Sequence, residues 1–384
     1  MGGGHEELIE AATAQTGLRD FGDDSFLTGL KILVRSLREE ARLNAHGESV
    51  LRQRIVGHLT QRLQVEEWYR RHPEIEAVPI QAPLIGLGLP RTGSTVLSFL
   101  LAEDPNARSL RRWEASEPCP PPSTVTQPDP RIQLSIESDR QSNAKSHTPS
   151  NATGPIECQD LMALDFRSHI FQALAQIPSY SDWLLHADLS STYRYERRVL
   201  KLLQWGYPSK PWRLKAPTHI MYLRHLDRAF PDARFVMTHR NPAEVVVSVA
   251  GVYADIIDRF TDHLDLRYIG KLNLEQWSIG MQRAIEFRNA GADARFYDIE
   301  FRAMNRDPIG EVRALYRWLG ESMSPEFEAG MARWWKHNTE TAERNARWDA
   351  ASFGLELDQI RPLFADYVKC MSKWTNRNGA SRAN

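Results

Sequence analysis

The stretch that decides the fold runs from Gln81 to Glu103 and reads QAPLIGLGLPRTGSTVLSFLLAE. Its first part, Pro83 to Leu87, is a short apolar run bounded by proline and glycine, which is typical of a buried parallel strand. A turn rich in glycine and proline follows from Gly88 to Gly93. From Ser94 the apolar residues recur at helical spacing. The stretch therefore predicts a strand, a glycine-rich loop and the N-terminus of a helix.

This loop is suited to bind an anion. Successive backbone N–H groups point into such a turn, and the helix dipole favours negative charge there. The spacing of Gly88, Gly93 and the two residues that follow nearly matches the phosphate loop of nucleotide hydrolases, but Ser94 stands where that loop has lysine. The cation of the loop is Arg91 instead. We therefore predict a phosphate-binding loop that is not built for nucleotide hydrolysis.

The segment LPRTGST and the apolar helix after it resemble the 5′-phosphosulfate loop of sulfotransferases that use 3′-phosphoadenosine 5′-phosphosulfate (PAPS). With an arginine in this loop, the chain resembles the tyrosylprotein branch and many bacterial members, whereas the cytosolic small-molecule enzymes have lysine there. The resemblance covers roughly residues 80 to 370. It implies that PAPS is the co-substrate and that the loop holds it through Pro90, Arg91, Thr92, Gly93, Ser94 and Thr95.

A second motif, FPDARFVMTHRNPAEVVVSV, combines a buried strand with a helix that Asn241 caps and Pro242 opens. Arg240 ends the strand, and Ser248 lies on the second turn of the helix. A guanidinium fork and a rotatable hydroxyl at these places can hold one phosphate. From the residues alone, an ion pair between Arg240 and Glu244 is about equally expected. The motif resembles the 3′-phosphate motif of sulfotransferases, which implies that Arg240 and Ser248 bind that phosphate.

Two further basic segments resemble parts of the same family. Lys215 ends a short strand in RLKAPTH, and similar Lys-x-Pro segments in the tyrosylprotein and related bacterial enzymes place the lysine near the bridging oxygen of the phosphosulfate. The alternative is a lysine paired with a surface carboxylate. Arg344 and Arg347 resemble the basic C-terminal segment that closes over the nucleotide, and a solvated loop is the alternative for them.

Sulfuryl transfer needs a base that takes the proton of the acceptor, together with cations where negative charge develops. Glu114 is the first choice for the base, because it follows the phosphate-loop helix and a short strand as the catalytic glutamate does in tyrosylprotein and heparan-type enzymes. A solvated glutamate paired with a neighbouring arginine is the alternative. The competing candidates are His147, Glu157 and His169, and the cytosolic branch of the family uses a histidine.

Composition narrows the class of protein. The 384 residues carry a formal net charge of −1, so no general attraction to nucleic acid is expected. The three cysteines and the absence of a signal peptide or a long apolar run favour a cytoplasmic protein without a membrane span. No spacing typical of a metal site occurs, so we expect no metal. The acceptor is expected to be a hydroxyl of a small molecule, glycan or lipid, with an amine as the alternative.

Strands that alternate with helices predict an α/β, P-loop-like fold of three layers, in which helices flank a central parallel sheet. Residues 1–78 are predicted to form an N-terminal helical subdomain that covers the sheet or forms a dimer face. Residues 79–384 are predicted to form the α/β domain, with lid loops at about 115–155 and a helical C-terminal region. Ligands bind at the carboxyl ends of such strands, where Arg91, Lys215, Arg240 and Asp298 are predicted to lie.

The leading functional hypothesis is a PAPS-dependent sulfotransferase. A P-loop-like nucleotide kinase is the first alternative, although its phosphate-loop lysine is missing. A non-catalytic nucleotide-binding module is the second alternative, and turnover of labelled PAPS would separate it from an enzyme.

Overall fold

The computed structural model describes residues 3–142, 153–338 and 347–380. The strands are β1 (Leu84–Gly88), β2 (Arg108–Ser109), β3 (Trp212–Lys215), β4 (Arg234–His239) and β5 (Phe296–Glu300). The helices are α1 (His5–Thr16), α2 (Ser25–Glu39), α3 (Ala45–Arg71), α4 (Ser94–Leu101), α5 (Arg112–Ser116), α6 (Pro130–Ser142), α7 (Gln159–Met162), α8 (Pro178–His186), α9 (Ser190–Gln204), α10 (Leu223–Ala229), α11 (Pro242–Ile257), α12 (Leu266–Phe287), α13 (Phe301–Arg306), α14 (Pro308–Leu319), α15 (Pro325–Asn338), α16 (Leu357–Leu363) and α17 (Ala365–Ala380).

The chain forms two compact units. The first, which we call the helical unit, consists of Met1–Ile80, Arg111–Ser209 and Tyr253–Asp265. The second, the sheet unit, consists of Gln81–Leu110, Lys210–Val252 and Leu266–Asn384. The predicted N-terminal subdomain of residues 1–78 lies in the helical unit together with these later segments.

The sheet unit is built on five parallel strands in the order β2-β3-β1-β4-β5. Strand β1 is the central strand of this order, and every one of its residues is buried, including both glycines. Its last residue, Gly88, is aligned with Thr238 of β4, and Gly86 is aligned with Lys215 of β3. The carboxyl ends of these three strands therefore meet at one edge, as predicted for a three-layer α/β fold.

Apolar side chains cover both faces of this sheet. On one face, Leu84 and Val236 belong to a core shared with α4, α14 and α15. On the other face, Phe287 at the end of α12 contacts Phe235 and Phe296 with ring centroids 6.3 and 6.2 Å apart. The alternation of strand residues thus places helices on both sides.

The helical unit is held together by buried charge as well as by apolar packing. The side chain of Arg62 on α3 has no exposed surface, and it donates to the carbonyl oxygens of Phe21 at 2.7 Å and Leu164 at 3.2 Å. Asp165 is equally buried and accepts hydrogen bonds from the hydroxyl groups of Ser25 at 2.6 Å and Thr192 at 2.8 Å. Hydrogen bonds are needed to offset the cost of burying such groups.

The apolar spacing from Ile156 to Leu174 predicts a helix, and the prolines of Pro118–Pro130 predict a surface loop with a stiff backbone. The structure corrects both expectations. The predicted helix from Ile156 to Leu174 is helical only at Gln159–Met162 and in a 3-10 turn at Ala163–Asp165, after which Phe166 takes a φ of 53°. The apolar residues of this segment are buried, but a segment made of turns can bury them as well as a helix can. The turn at Ala163–Asp165 brings Asp165 to its buried hydrogen-bond donors.

The proline-rich segment Pro118–Pro130 has no α-helix before its last residue, as expected, but it is not a simple surface loop. Cys119 is buried, and Asp129 forms a buried ion pair with Arg131 at 2.6 Å. Arg131 also donates to the carbonyl oxygen of Glu117 at 2.6 Å. These contacts hold the described part of the predicted lid within the helical unit. Residues 143–152 lie outside the described residues.

Among the residues that the structure describes, no helix is both long enough and apolar enough to cross a membrane.

Candidate active site

The loop between β1 and α4 depends on two glycines with positive φ. Gly88 has a φ of 126°, and a Cβ atom there would lie 3.0 Å from the carbonyl oxygen of Thr238. Gly93 has a φ of 89° as the N-cap of α4, and a Cβ atom there would lie 3.4 Å from the ring of Phe301. Only glycine adopts these conformations without strain. The glycines therefore set the loop that leads into the N-terminus of α4.

Thr92 fixes the interior of this loop. Its side chain is fully buried, donates to the carbonyl oxygen of Leu89 at 2.7 Å and shares a hydrogen bond of 2.6 Å with the hydroxyl of Thr238. The Thr92 hydroxyl is therefore committed to the protein. An anion in the loop would meet the backbone of Thr92 and not its side chain.

Lys215 lies beside the first turn of α4. Its Nζ atom donates to the hydroxyl of Thr95 at 3.4 Å, and its side chain is mostly buried. The Cγ atom of Lys215 lies 3.1 Å from the position that a Cβ atom would take at Gly86. A glycine on the central strand thus makes room for the lysine stem. Ser94, the first residue of α4, is also buried. The N-terminus of α4 and the Lys215 side chain therefore lie side by side, joined by the hydrogen bond to Thr95.

Arg91, Arg240 and Ser248 meet at the same edge of the sheet. The Nε atom of Arg91 donates to the hydroxyl of Ser248 at 3.2 Å, and Nη1 of Arg240 donates to the carbonyl oxygen of Arg91 at 3.2 Å. Arg91 has a φ of 62°, in the left-handed region that non-glycine residues rarely adopt. The two motifs that the sequence predicts separately therefore form one junction, which we call the arginine–serine junction.

The side chain of Arg240 is held from several directions. Its Nε and Nη2 atoms both donate to one carboxylate oxygen of Glu244, at 3.0 and 2.9 Å, so the predicted local ion pair is present. Its guanidinium carbon lies 4.6 Å from the centroid of the Phe301 ring. Phe301 thus contacts both Arg240 and the Gly93 side of the loop. Sequence reasoning missed Phe301, whose only signal is that it follows β5 directly.

A buried polar network lies next to Arg240 in the sequence. His239 hydrogen-bonds through Nε2 to Asp298 at 2.8 Å and through Nδ1 to the hydroxyl of Tyr367 at 3.1 Å. Arg288 donates two hydrogen bonds to Asp298, at 2.7 and 2.8 Å. Burial alone would raise the pKa of Asp298, but the hydrogen bonds from Arg288 and His239 outweigh it and hold that pKa at about 2.

The placement of Asp298 corrects one expectation. Asp298 was predicted at the carboxyl end of its strand, but it lies in the middle of β5, aligned with Met237 of β4. Its carboxylate is buried in the ion pair with Arg288, so it cannot face a ligand. The strand continues to Glu300, two residues further than the apolar pattern indicated.

Arg347 begins the last described segment. Its side chain is exposed, and its guanidinium carbon lies 4.3 Å from the centroid of the Trp348 ring. Trp348 lies 3.7 Å from the Cβ position of Gly251, one turn of α11 beyond Ser248. The C-terminal segment therefore returns to the helix that carries Ser248. Arg344 lies outside the described residues.

The candidate bases lie in the helical unit. Glu114 is buried on α5, and its Oε2 atom accepts a hydrogen bond of 3.0 Å from the backbone N–H of Arg111. The alternative of a solvated Glu114 is therefore wrong. Glu157 accepts a hydrogen bond of 2.8 Å from Gln159, and His169 is buried. His147 lies outside the described residues. The residues of the phosphate loop and the arginine–serine junction belong to the sheet unit.

In chemical terms, the edge of the sheet unit presents a helix N-terminus, a lysine and two arginines around a glycine-rich loop. Backbone N–H groups and cations in this arrangement bind phosphate and sulfate oxygens and stabilise charge that develops on them.

The chain resembles known proteins in sequence and in structure. Residues 83–325 match the family described as the sulfotransferase family. No curated protein sequence matches the chain. The structure of the sulfotransferase STF9 from Mycobacterium avium is similar, with 30% identity, coverage of 96% of each chain and a TM-score of 0.89. The structure of the sulfotransferase STF1 from Mycobacterium tuberculosis H37Rv is also similar, with 29% identity, coverage of 94% of this chain and 98% of that chain, and a TM-score of 0.83.

The family match covers more than half of the chain, and the likeness to STF9 extends over almost all of it. The glycine-rich loop and the helix-flanked parallel sheet agree with this assignment. The chain belongs to the sulfotransferase family.

Proposed function

We propose that this sulfotransferase moves a sulfuryl group from PAPS to a hydroxyl acceptor, with Arg240 and Ser248 holding the 3′-phosphate of the donor. The family implies PAPS as the sulfate donor. The single observation that supports these site residues most strongly is the arginine–serine junction, in which Arg91, Arg240 and Ser248 are linked by hydrogen bonds of 3.2 Å. A bound phosphate would exchange these contacts for stronger, charge-assisted ones.

The phosphate loop is the proposed site of the 5′-phosphosulfate. The backbone from Pro90 to Gly93 and the first turn of α4, with Ser94 and Thr95, would supply N–H and hydroxyl donors. The buried hydroxyl of Thr92 is the exception, so we assign that residue a backbone contact only. Lys215 and Arg91 would face the charge that grows on the phosphosulfate oxygens, and Arg347 would cover the nucleotide.

The proposed reaction is an in-line displacement at sulfur. A bond forms between the acceptor oxygen and sulfur while the bond from sulfur to the bridging phosphate oxygen breaks. The electron pair of the broken bond stays on that oxygen, so the 5′-phosphate of the released adenosine 3′,5′-bisphosphate gains one negative charge. Lys215 and Arg91 are suited to stabilise this charge. The proton of the acceptor passes to the base.

We assign the base to Glu114, on its position after the phosphate-loop helix in the sequence and on its burial in α5. Its hydrogen bond with the Arg111 backbone orients the carboxylate, and an ionised carboxylate can accept a proton. His147, Glu157 and His169 are the competing bases. An amine is the alternative acceptor.

The remaining assignments follow the sequence. We place the donor chemistry in residues 79–384 and give residues 1–78 a packing or dimer role. The acceptor is a small molecule, glycan or lipid that carries a hydroxyl, and no metal or nucleic acid is invoked. Cys119, Cys158 and Cys370 form no disulfide, which suits a reducing compartment such as the cytoplasm.

The test is transfer from labelled PAPS to a panel of phenolic, alcoholic, glycan and amine acceptors. Labelled product together with released adenosine 3′,5′-bisphosphate supports the proposal. Nucleotide binding without transfer to any acceptor would favour a non-catalytic nucleotide-binding module. A parallel incubation with ATP and Mg²⁺ tests the kinase alternative, for which we expect no phosphoryl transfer because Ser94 occupies the position of the phosphate-loop lysine.

A further inference from the structure

Helix α17, far along the chain from the phosphate motifs, contacts the last residue of β4, His239, which precedes Arg240. Tyr367 on its first turn is 1% exposed, and its hydroxyl lies 3.1 Å from Nδ1 of His239, the residue before Arg240. The same hydroxyl forms a hydrogen bond with the backbone of Arg240. Two turns later, the Trp374 ring lies 3.7 Å from the guanidinium carbon of Arg288. One face of α17 is thus fitted to the end of β4.

The direction of each hydrogen bond in this network can be worked out from the ionised Asp298. A carboxylate only accepts, so Nε2 of His239 must carry a hydrogen and donate to Asp298 at 2.8 Å. An Nδ1 atom that carries no hydrogen accepts, and the Tyr367 hydroxyl is then its donor. The lone pairs of the Tyr367 oxygen remain to accept from the backbone N–H of Arg240. Every group in the chain from Asp298 to Arg240 is then satisfied.

We propose that Tyr367 is a positioning residue for the 3′-phosphate site: through His239 and the Arg240 backbone, it fixes the strand end from which the Arg240 side chain reaches its ligand. This inference rests on the proposed role of Arg240. It assigns a function to the buried Asp298 that sits away from the strand end, because Asp298 and Arg288 anchor His239. Tyr367 touches neither the donor nor the reacting atoms in this account.

Side-chain contacts alone would not place Arg240 accurately. Glu244 and Phe301 hold its guanidinium, but the Phe301 ring is only partly buried and the Glu244 side chain is 52% exposed. Arg240 lies between the end of β4 at His239 and the start of α11 at Pro242. The buried Tyr367 hydroxyl links this backbone to α17 and so fixes the main-chain position from which the Arg240 side chain extends. Recognition of one phosphate requires a side chain that is positioned in this way.

The variant Tyr367→Phe removes only the hydroxyl. The matched control is Tyr316→Phe: Tyr316 is also 1% exposed in the sheet unit, and its hydroxyl donates to Asp104 at 2.6 Å. Both variants lose a buried hydrogen bond and should lose comparable thermal stability. The measured quantity is the ratio of the affinities for adenosine 3′,5′-bisphosphate and adenosine 5′-monophosphate. Both titrations use the same protein sample, so partial unfolding cancels in the ratio.

We expect the wild type to prefer the bisphosphate, Tyr367→Phe to lose this preference by about tenfold, and Tyr316→Phe to keep it; about tenfold is the worth of one well-placed hydrogen bond. A wild-type ratio in Tyr367→Phe, with the ratio lost in Arg240→Ala, overturns the inference and leaves the proposed function intact. An unchanged ratio in Arg240→Ala overturns the 3′-phosphate assignment, and the inference falls with it.

A second variant covers the case in which Tyr367→Phe does not fold. His239→Gln can keep an N–H donor for Asp298 but lacks an acceptor at the position of Nδ1, because its amide oxygen branches from a different place in the side chain. We expect it to lower the affinity ratio in the same direction. A His239→Gln variant with the wild-type ratio would contradict the positioning role.

Discussion

At the scale of single residues, the arginine–serine junction is the part of the site with the clearest chemistry. Arg240 offers a guanidinium that already shares hydrogen bonds with Glu244 and with the carbonyl oxygen of Arg91. A phosphate that binds there must compete with Glu244, a partly exposed partner whose ion pair contributes little in water. The phosphate carries more charge and several acceptor oxygens, so it should win this competition.

The first prediction concerns this junction. Arg240→Ala should weaken binding of adenosine 3′,5′-bisphosphate by roughly 10- to 100-fold, the worth of charge-assisted hydrogen bonds. Ser248→Ala should weaken it by less, since it removes one hydroxyl and the partner of Arg91 Nε. Calorimetric titration measures both.

The matched control is Arg234→Ala at the opposite end of β4, where the side chain donates to the carbonyl oxygens of Trp318 and Leu319. It should lower thermal stability and leave the affinity unchanged. Unchanged affinity in both Arg240→Ala and Ser248→Ala would remove the 3′-phosphate assignment.

The second prediction separates chemistry from binding at Glu114. Glu114→Gln keeps the shape of the side chain but removes the proton acceptor. Nucleotide affinity should stay near wild type while kcat falls on the order of 10²- to 10⁴-fold, the usual worth of a general base. The pH profile of kcat/KM should lose the rising acidic limb that a carboxylate base produces. Lys215→Ala should also lower kcat but keep that limb.

The competing bases provide the contrary outcome for this prediction. Near-normal turnover in Glu114→Gln, together with loss of turnover in His147→Ala, Glu157→Gln or His169→Ala, would move the base to one of those residues. The fold and the nucleotide site would be unaffected.

At the scale of elements, the loop between β1 and α4 depends on backbone conformation. Gly93→Ala places a Cβ atom at a φ of 89° and 3.4 Å from the Phe301 ring. We expect a loss of about 1–2 kcal/mol in the free energy of unfolding from the left-handed conformation, and weaker nucleotide binding because the loop must shift against Phe301. Chemical denaturation and calorimetric titration measure the two effects.

Gly320→Ala is the control for Gly93→Ala. Gly320 caps α14 in the same sheet unit with a φ of 74°, and a Cβ atom there would meet nothing within 4 Å. It should cost similar stability and leave binding unchanged. If Gly93→Ala and Gly320→Ala changed the nucleotide affinity equally, the expected role of the Gly93 conformation in nucleotide binding would be wrong.

Elements that combine local signals were predictable from the sequence. The β1–loop–α4 unit, strand β3 and the start of α11 at Pro242 lie where apolar runs, glycines and an Asn-Pro cap place them. Asn241 does accept a hydrogen bond, from the N–H of Ala243 at 3.0 Å. Pattern and cap chemistry act within a few residues, so a single sequence contains them.

Contacts between distant segments were not predictable. The bond from Arg91 to Ser248 joins residues 157 positions apart, and no local pattern encodes it. Phe301 and Tyr367 have roles only because β5 and α17 lie beside β4 in space. The predicted helix from Ile156 to Leu174 is wrong for a related reason. The turn after Met162 brings Asp165 to hydrogen-bond donors on distant segments, and the apolar spacing does not reveal those contacts.

At the scale of the whole molecule, buried ionisable groups make stability depend on pH. Glu196 on α9 has no exposed surface, and burial raises its pKa from 4.5 to about 8. The folded state therefore binds a proton that the unfolded state releases between these values. The stabilisation is fully present below pH 4.5 and is lost as pH rises through about 8.

Glu196→Gln should therefore be more stable than the wild type at about pH 8, by up to a few kcal/mol, and nearly equal to it at about pH 4. Chemical denaturation at several pH values measures the difference. The control is Glu137→Gln on the exposed side of α6, which should leave the pH dependence unchanged. A constant difference between Glu196→Gln and the wild type at every pH would contradict a protonated Glu196.

A comparison of two sulfate donors with the wild-type protein tests the proposed 3′-phosphate site directly. PAPS and adenosine 5′-phosphosulfate differ only in the 3′-phosphate, which Arg240 and Ser248 are proposed to bind. With an active acceptor, we predict transfer from both and a kcat/KM for PAPS at least about tenfold higher, because the second donor forgoes the charge-assisted contacts of the junction. Equal kcat/KM values for the two donors would contradict the central claim.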